Sequence, residues 1–514
     1  MSQFDELPEG WIDVELDDVI DGFEAGKSPK SEGRPANVGE VGVLKVSAVS
    51  WGKFKPEENK VLLNPPKDLG KESVRKNDLL ISRANTVELV GAVVLVKEDY
   101  PNLLLSDKTL RLLPTKKILE KEFLLYALRT KKVRNFFEDQ ATGTSDSMRN
   151  LSQAKIRLTK IPLPPLNEQR RIVEKIEALT ARIRKARAAL DEIPALLDQF
   201  RQSVLAAAFR GDLTADWRAQ NSDVEPAEVL LERIRTERRD LWEENERRKY
   251  LIKSAFPKDK KMKKYKEAVE PDKNKVDAPD SWLAVSADQI TFLITDGKHG
   301  DCKDELNSGF YFLSVKDLYD GKLNYENARQ IEKDDFLEVH FRTNLEAGDI
   351  LVTNAGTIGR VAIANDPKRT KYTTFQKSVA VLKPLKRFVL SEYLALYVES
   401  AVSYLKDKSS GTAVKNLLIG DLKQFTVAFP SLSEQKEIIK RLMNFFAFTE
   451  ELKADCQDTY LELEQLDRSI LAKAFRGELV PQDPNDEPAA VLLDRIRAER
   501  EQLGSGKKRG KAKG

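Results

Sequence analysis

Apolar side chains recur every seven residues along two stretches of this chain. The first stretch carries one row at Ile176, Ile183, Leu190, Leu197 and Val204 and a second row at Ile172, Leu179, Ala186, Ile193, Phe200 and Ala207. The second stretch carries equivalent rows at Ile438, Leu442, Phe445, Thr449, Leu452, Cys456, Thr459, Leu463, Leu466 and Ile470. A heptad pattern sustained for about five repeats is typical of a coiled-coil helix. We therefore expect two long helices, the first kinked at Pro194, where the ring removes a backbone donor.

The two stretches are copies of each other. Residues 166–213 align without a gap with residues 432–479; each copy opens on a Glu-Gln pair (Glu168-Gln169, Glu434-Gln435) and ends on Ala-Phe-Arg-Gly. A helix of about 45 residues is roughly 70 Å long. The simplest partner of each helix is the other one, packed antiparallel within the chain; packing against its own domain or in a homodimer is the alternative. A duplicated chain with a pseudo-twofold axis suits a two-part target.

Two globular regions, 1–165 and 279–431, precede the helices and share one order of elements. Short apolar runs rich in Val, Ile and Leu predict strands, followed by one helix. In the first region the strands are predicted at 42–49, 79–86, 91–97 and 103–113 and the helix at 122–137; in the second the strands are predicted at 310–315, 349–353, 361–364 and 375–382 and the helix at 391–406. Matching landmarks include Trp11 with Trp282 and Lys108 with Lys377. The predicted fold class is α+β, with two homologous α/β domains separated by an antiparallel helix pair.

The remaining segments complete the division of the chain. Residues 166–213 and 432–480 form the long helices, 214–278 a short amphipathic helix (226–239) and an exposed Lys-rich linker, and 481–514 a second copy of the short helix (488–501) and a basic tail. The formal net charge is only +3, so charge alone does not identify a nucleic-acid binder.

Catalytic and metal-binding patterns are scarce. The chain has two cysteines, Cys302 and Cys456, and two histidines, His299 and His340. His299 and Cys302 form one His-x-x-Cys pair without a second pair, so we expect no zinc cluster. There is no Walker or GxGxxG motif, so we expect no cofactor. Residues 64–67, Asn-Pro-Pro-Lys, lack the aromatic residue that a base-flipping methyltransferase needs, and a Pro-Pro turn is favoured. The polar start and the lack of an apolar run of about 20 residues predict a cytoplasmic protein with no membrane partner.

Two polar loops recur in both domains and suit contact with DNA. Arginine favours guanine and asparagine favours adenine, whereas hydroxyls beside a cation suit a phosphate. The candidate DNA-contact residues of the first loop are Arg83, Asn85 and Thr86 in the first domain and Thr353, Asn354 and Thr357 in the second; those of the second loop are Thr144, Ser145 and Arg149, and Thr412 and Lys415. The alternative is ordinary turns whose side chains bond their own backbone.

The order of domain, Pro-Pro-Leu-x-Glu-Gln (164–169, more loosely 430–435), long helix and Ala-Phe-Arg-Gly, repeated once, resembles the specificity subunit of a type I restriction-modification enzyme. The start Leu-Pro-Glu-Gly-Trp (7–11) and the ending Ser-Ile-Leu-Ala-Lys-Ala-Phe-Arg-Gly-Glu-Leu (469–479) carry the same resemblance. The match covers nearly the whole chain.

The resemblance implies two target-recognition domains that each read one half of a split site in double-stranded DNA, held apart by the helices. It also implies two methyltransferase subunits, which carry the adenine-N6 chemistry, and two restriction-translocase subunits, so this chain itself is expected to be non-catalytic. A stand-alone methyltransferase or nuclease and a coiled-coil scaffold that binds only proteins are the alternatives.

Overall fold

The computed structural model describes residues 7–50, 53–115, 117–143, 148–254, 264–273, 276–402, 406 and 417–510, with side chains left undescribed at 248–254 and 502–510. The chain divides into two compact units. Unit 1 comprises Met1–Asp191 with Cys456–Gly514, and unit 2 comprises Glu192–Asp455. Each unit therefore contains one globular domain and part of each long helix.

The first domain is built on two four-stranded sheets. In spatial order the first sheet consists of Val93–Leu95, Leu79–Ser82, Thr109–Pro114 and Ile20–Ala25, and the second of Asn59–Val61, Gly42–Leu44, Tyr100–Leu104 and Ser73–Val74. Three short antiparallel pairs join Ile12–Glu15 to Lys160–Leu163, Ala84–Asn85 to Arg149–Asn150, and Val49–Ser50 to Lys53–Phe54. The helices are Leu16–Val19, Lys121–Ala127, Lys131–Gln140 and Gln153–Arg157, with 3-10 turns at Val46–Ala48 and Gly70–Glu72.

The second domain repeats this architecture. Its four-stranded sheet has the order Thr291–Asp296, Val379–Pro384, Ile350–Thr353 and Val361–Ile363, and its three-stranded sheet the order Arg329–Gln330, Tyr311–Leu313 and Thr373–Phe375. Antiparallel pairs join Leu283–Ser286 to Thr426–Phe429 and Leu318–Tyr319 to Lys322–Leu323. The helices are Lys333–Thr343, Ser391–Ser400 and Ile419–Gln424, with 3-10 turns at Val315–Asp317 and Thr370–Tyr372.

Several sequence predictions were wrong in detail. The strand predicted at 103–113 is two strands, because the polar residues Ser106, Asp107 and Lys108 turn the chain between them. The run 375–382 likewise divides, and the helix predicted at 122–137 ends at Ala127 and restarts at Lys131. The helix Lys333–Thr343 was missed. In the first domain the segment at this place contains Pro65 and Pro66, which cannot continue a helix.

The two long helices are confirmed. They span Leu166–Phe209 and Leu432–Ala474, and the first continues through Pro194 as one helix. Two contacts between the long helices lie in unit 1. Arg187 pairs with Asp467 at 3.2 Å, and Asp191 accepts a hydrogen bond from Tyr460 at 3.0 Å, so the residue numbers rise along one helix as they fall along the other. The helices of this unit are therefore antiparallel. The predicted seam positions Phe200 and Leu466 are 40% and 48% exposed, so the expected burial of these two residues is not observed.

The helices that follow the long helices are longer than predicted, and they belong to the domains. The first spans Ala227–Ser254 and buries Leu230, Leu231 and Ile234 in the core of unit 2. The second spans Ala489–Gly510 and buries Leu493 and Ile496 in the core of unit 1. Each domain is thus completed by a helix that follows the other domain in the sequence.

Part of the predicted linker is also ordered against the second domain. The Val269 amide donates to the Asp288 carboxylate at 3.1 Å, and the Asp272 amide donates to the Gln424 carbonyl at 2.8 Å. Residues 264–273 therefore lie along the domain and are not a free arm.

The repeated Ala-Phe-Arg-Gly ends each long helix inside a domain core. Phe475 packs on Phe123 of the first domain, with ring centroids 5.1 Å apart, and Phe209 packs on Tyr397 of the second at 4.8 Å. The following glycines, Gly211 and Gly477, have φ of 81° and 75°, which is the left-handed conformation that ends a helix. The motif therefore both fastens and terminates each long helix.

Candidate nucleic-acid interface

The strand Leu79–Ser82 of the first domain leads directly into the first candidate loop. Arg83 is the first residue beyond the strand, and its backbone is fixed on both sides. Its amide donates to the Lys108 carbonyl at 2.9 Å, and its carbonyl accepts from the Leu151 amide at 2.7 Å. The loop closes where the Gly91 amide donates to the Ser82 carbonyl at 2.7 Å.

The second domain holds Asn354 in the same frame. The Asn354 amide donates to the Ser378 carbonyl at 3.0 Å, and its carbonyl accepts from the Leu417 amide at 2.8 Å. The Gly359 amide closes this loop by donating to Thr353 at 2.9 Å. Arg83 and Asn354 are therefore equivalent positions, and the loop of the first domain, 83–90, is longer than that of the second, 354–358.

The two candidate loops of the first domain meet. The strand Ala84–Asn85 pairs with Arg149–Asn150, so that Asn85 lies opposite Arg149. A further bridge joins Thr142 to Asn150 and closes the second loop at its base. Thr144 and Ser145 of this loop, and Thr412 and Lys415 of its counterpart, lie outside the described residues.

The candidate side chains differ in how far they are already engaged. Asn85 is buried, and its side-chain Oδ1 accepts a hydrogen bond from the Thr86 amide at 2.9 Å. This is the contact that the alternative of an ordinary turn predicts. Thr353 is buried and donates to the Thr357 carbonyl. The partly buried Arg83 guanidinium, by contrast, makes no hydrogen bond or ion pair with a described residue.

In the second domain, Asn354 and Thr357 are the candidate residues whose side chains could still bind a partner. Asn354 is 8% exposed, and its Oδ1 has no hydrogen-bond partner among the described residues. A buried, unsatisfied amide oxygen is costly, so a bound partner would stabilise it. Thr357 is exposed beside it in the loop.

The expected match of Lys108 with Lys377 is wrong by one residue. Thr109 lies opposite Ser82 in the first domain, and Val379 lies opposite Thr353 in the second. Lys108 therefore corresponds to Ser378, and Lys377 corresponds to Asp107. The strand register decides the match, because it sets which residue faces the equivalent partner.

A buried anchor explains why tryptophan and the Glu-Gln pair recur in both copies. Trp11 Nε1 donates to Glu168 at 2.9 Å, and Trp282 Nε1 donates to Glu434 at 2.8 Å. The amide side chain of Gln169 donates to the Pro164 carbonyl at 3.0 Å and accepts from the Glu120 amide at 3.0 Å. The anchor joins the start of each domain to the start of the long helix that follows it.

The two anchors differ in the partners of the carboxylate. Glu434 also accepts from Thr214 Oγ1 at 2.8 Å and from Arg218 Nε at 3.0 Å. Among the described residues no arginine donates a hydrogen bond to Glu168, and burial raises the pKa of its carboxyl above the usual range, the largest opposing effect being the Trp11 hydrogen bond.

Other kinds of site are not found in the part of the chain described here. No group of three or more His, Cys, Asp or Glu residues there could hold a metal ion. None of its helices is long and apolar enough to cross a membrane. The Asn-Pro-Pro-Lys segment, 64–67, lies in an exposed bend, as the Pro-Pro turn interpretation predicts.

Comparison with known proteins agrees with this architecture. The chain matches the type I restriction modification DNA specificity domain at residues 8–195 and 297–459. It is 30% identical to the type I restriction enzyme EcoBI specificity subunit of Escherichia coli over 73% of this chain and 71% of that protein. It is 24% identical to the EcoKI specificity subunit of Escherichia coli strain K12 over 99% of both chains. The HsdS subunit from Thermoanaerobacter tengcongensis has a similar fold, with a TM-score of 0.52, 19% identity and coverage of 93% of this chain and 99% of that one.

Proposed function

Because this chain belongs to the family of type I restriction-modification DNA specificity subunits, we propose that its two α/β domains each read one half of a bipartite site in double-stranded DNA. The first domain would read through Arg83, Thr86 and Arg149, and the second through Asn354 and Thr357. Asn85 and Thr353, which are engaged within their own turns, would position these loops.

The main support for this proposal is that the two domains share one backbone arrangement but place different side chains in it. The same two backbone hydrogen bonds hold Arg83 in one domain and Asn354 in the other. An arginine suits guanine and an asparagine suits adenine in the major groove. Two related domains with different residues at one fixed position would therefore read different half-sites.

The long helices would set the distance between the half-sites and dock two methyltransferase subunits, through which two restriction-translocase subunits join the complex. Adenine-N6 methylation and ATP-dependent cleavage would lie in these partners, and this chain would be their non-catalytic, sequence-reading component.

Selection from random DNA by a reconstituted complex tests the proposed function. The chain, assembled with its methyltransferase partner, should enrich from a random duplex pool a motif of two unlike half-sites at a fixed spacing. Methyl transfer from S-adenosylmethionine should require both components. Enrichment of no motif would favour the protein-scaffold alternative, and methylation by the rigorously purified chain alone would favour the stand-alone enzyme.

A further inference from the structure

Three chain segments of the first domain are linked through residues 105–108, which connect the strands Tyr100–Leu104 and Thr109–Pro114. The Arg83 amide donates to the Lys108 carbonyl at 2.9 Å, which joins the first two segments. The third segment is the turn at Gly26 and Lys27, which follows the strand Ile20–Ala25. A methyl group at Gly26 would lie 1.7 Å from the Leu105 carbonyl oxygen. Only glycine allows this approach, so the position of Lys27 is fixed by backbone contact.

The cations at this convergence are available for a ligand. Lys27 is exposed, and Arg83 and Lys108 are partly buried. None of these three side chains makes a hydrogen bond or ion pair with a described residue. The neighbouring Asp107 carboxylate accepts a hydrogen bond from the Ser28 hydroxyl. The surface therefore presents three cations beside one engaged carboxylate.

The second domain has the same turn, but its lysine is paired with acidic side chains. A methyl group at Gly297 would lie 1.9 Å from the Phe375 carbonyl oxygen, so Lys298 is the counterpart of Lys27. The Lys298 ammonium pairs with Glu338 and lies 3.7 Å from Asp335, and its side chain is only 13% exposed. Hydrogen bonding to Glu338 raises the pKa of Lys298. Both acids belong to the α-helix Lys333–Thr343, whereas the described residues of the corresponding segment in the first domain form only the 3-10 turn Gly70–Glu72.

We propose that Lys27 of the first domain contacts a phosphate of the DNA backbone beside the half-site that Arg83 reads, and that the second domain lacks this contact because Glu338 and Asp335 occupy Lys298. The inference rests on the proposed function. The ligand chemistry is a phosphodiester, since a compact ammonium makes a point-charge contact with an anion and carries little sequence information. The contact would add affinity and help to fix the position of the domain on the duplex.

The salt dependence of DNA binding tests this assignment. Each phosphate contact contributes about 0.9 to the slope of log affinity against log salt. We expect Lys27→Ala to lower that slope by about 0.9, so that its affinity deficit shrinks about 3.5-fold between roughly 50 and 200 mM salt. The half-site preferences should remain those of the wild type. Lys27→Arg, which keeps the cation, should retain the wild-type slope.

Lys298→Ala is the matched control, because it removes the equivalent lysine. It should leave the slope unchanged. The measurements use the chain assembled with its methyltransferase partner, on a duplex carrying the selected site and on a random duplex, with assembly followed by sedimentation. An unchanged slope for Lys27→Ala, an equal fall for Lys298→Ala, a changed base preference, or weakened assembly with the partner would each overturn the inference. Failure of the wild type to select a bipartite motif would instead refute the proposed function, since the slope is still measurable on random DNA.

Discussion

A protein with seven residues inserted after Leu190 and another seven after Cys456 should select a longer spacer between unchanged half-sites. Both points lie where the chain passes from one compact unit to the other, next to Asp191 and Asp455. One heptad in each helix preserves the seam register and adds about 10 Å at 1.5 Å per residue. That length equals about three base pairs at about 3.4 Å each. Affinity for the original spacer should fall toward the non-specific level, about 10³-fold or more.

Rotation of the duplex gives the experiment a second arm. One heptad in each helix corresponds to about three base pairs, which turn the DNA by roughly 100°. Three heptads in each helix would add about 31 Å, or about nine base pairs, which is close to a full turn of the duplex. The three-heptad protein should therefore recover more affinity at its longer spacer than the one-heptad protein. A library with fixed half-sites and varied spacers measures both. Undiminished binding at the original spacer, with no longer spacer gaining, would show that the helices do not set the distance.

Replacing Glu434 by alanine should remove about 3–5 kcal/mol from the free energy of unfolding. The carboxylate accepts hydrogen bonds from Trp282, Thr214 and Arg218, and its side chain is 4% exposed. Its loss leaves a partly buried guanidinium and a buried indole N–H without their acceptor. Denaturant unfolding of the full chain measures the change.

Glu168 provides the matched control, because it anchors Trp11 without an arginine. Burial raises the pKa of Glu168, so its charged form weakens folding at neutral pH. Glu168→Gln should therefore be nearly neutral there. As pH falls through the raised pKa, the wild type should gain stability relative to this variant, because the folded state binds the proton more tightly. If Glu434→Ala and Glu168→Ala lowered the free energy of unfolding equally, the hydrogen bond from Arg218 to Glu434 would not account for the larger loss expected at Glu434.

The sequence was most informative where one periodicity or motif recurred. The heptad rows predicted both long helices, and the repeated Glu-Gln and Ala-Phe-Arg-Gly marked their ends. The recurrence of the first polar loop in both domains was also correct, and the backbone contacts make Arg83 equivalent to Asn354. The reasons for these motifs were not visible, because Trp11 and Glu168, or Phe475 and Phe123, meet only across long sequence separations.

The details that failed depend on contacts that a single sequence does not show. The match of Lys108 with Lys377 follows residue type, but the strand register pairs Lys108 with Ser378. The importance of Lys27 could not be read from its own segment. Gly26-Lys27 and Gly297-Lys298 do repeat, and that repeat was the available signal, but only the acids of Lys333–Thr343 distinguish the two lysines.

The central claim is that each domain reads its own half-site, and a domain exchange tests it most directly. Residues 12–163 would be replaced by the equivalent domain of a relative with a different half-site; this segment keeps the pair Ile12–Glu15 and Lys160–Leu163 together. Asp18, Asp21 and Thr115 would be retained, because they hold Arg497 and Arg500 of the C-terminal helix. Sequencing the methylated sites should show one half-site replaced, with the other half-site and the spacer unchanged. Alteration of both half-sites, or of neither, would contradict the account.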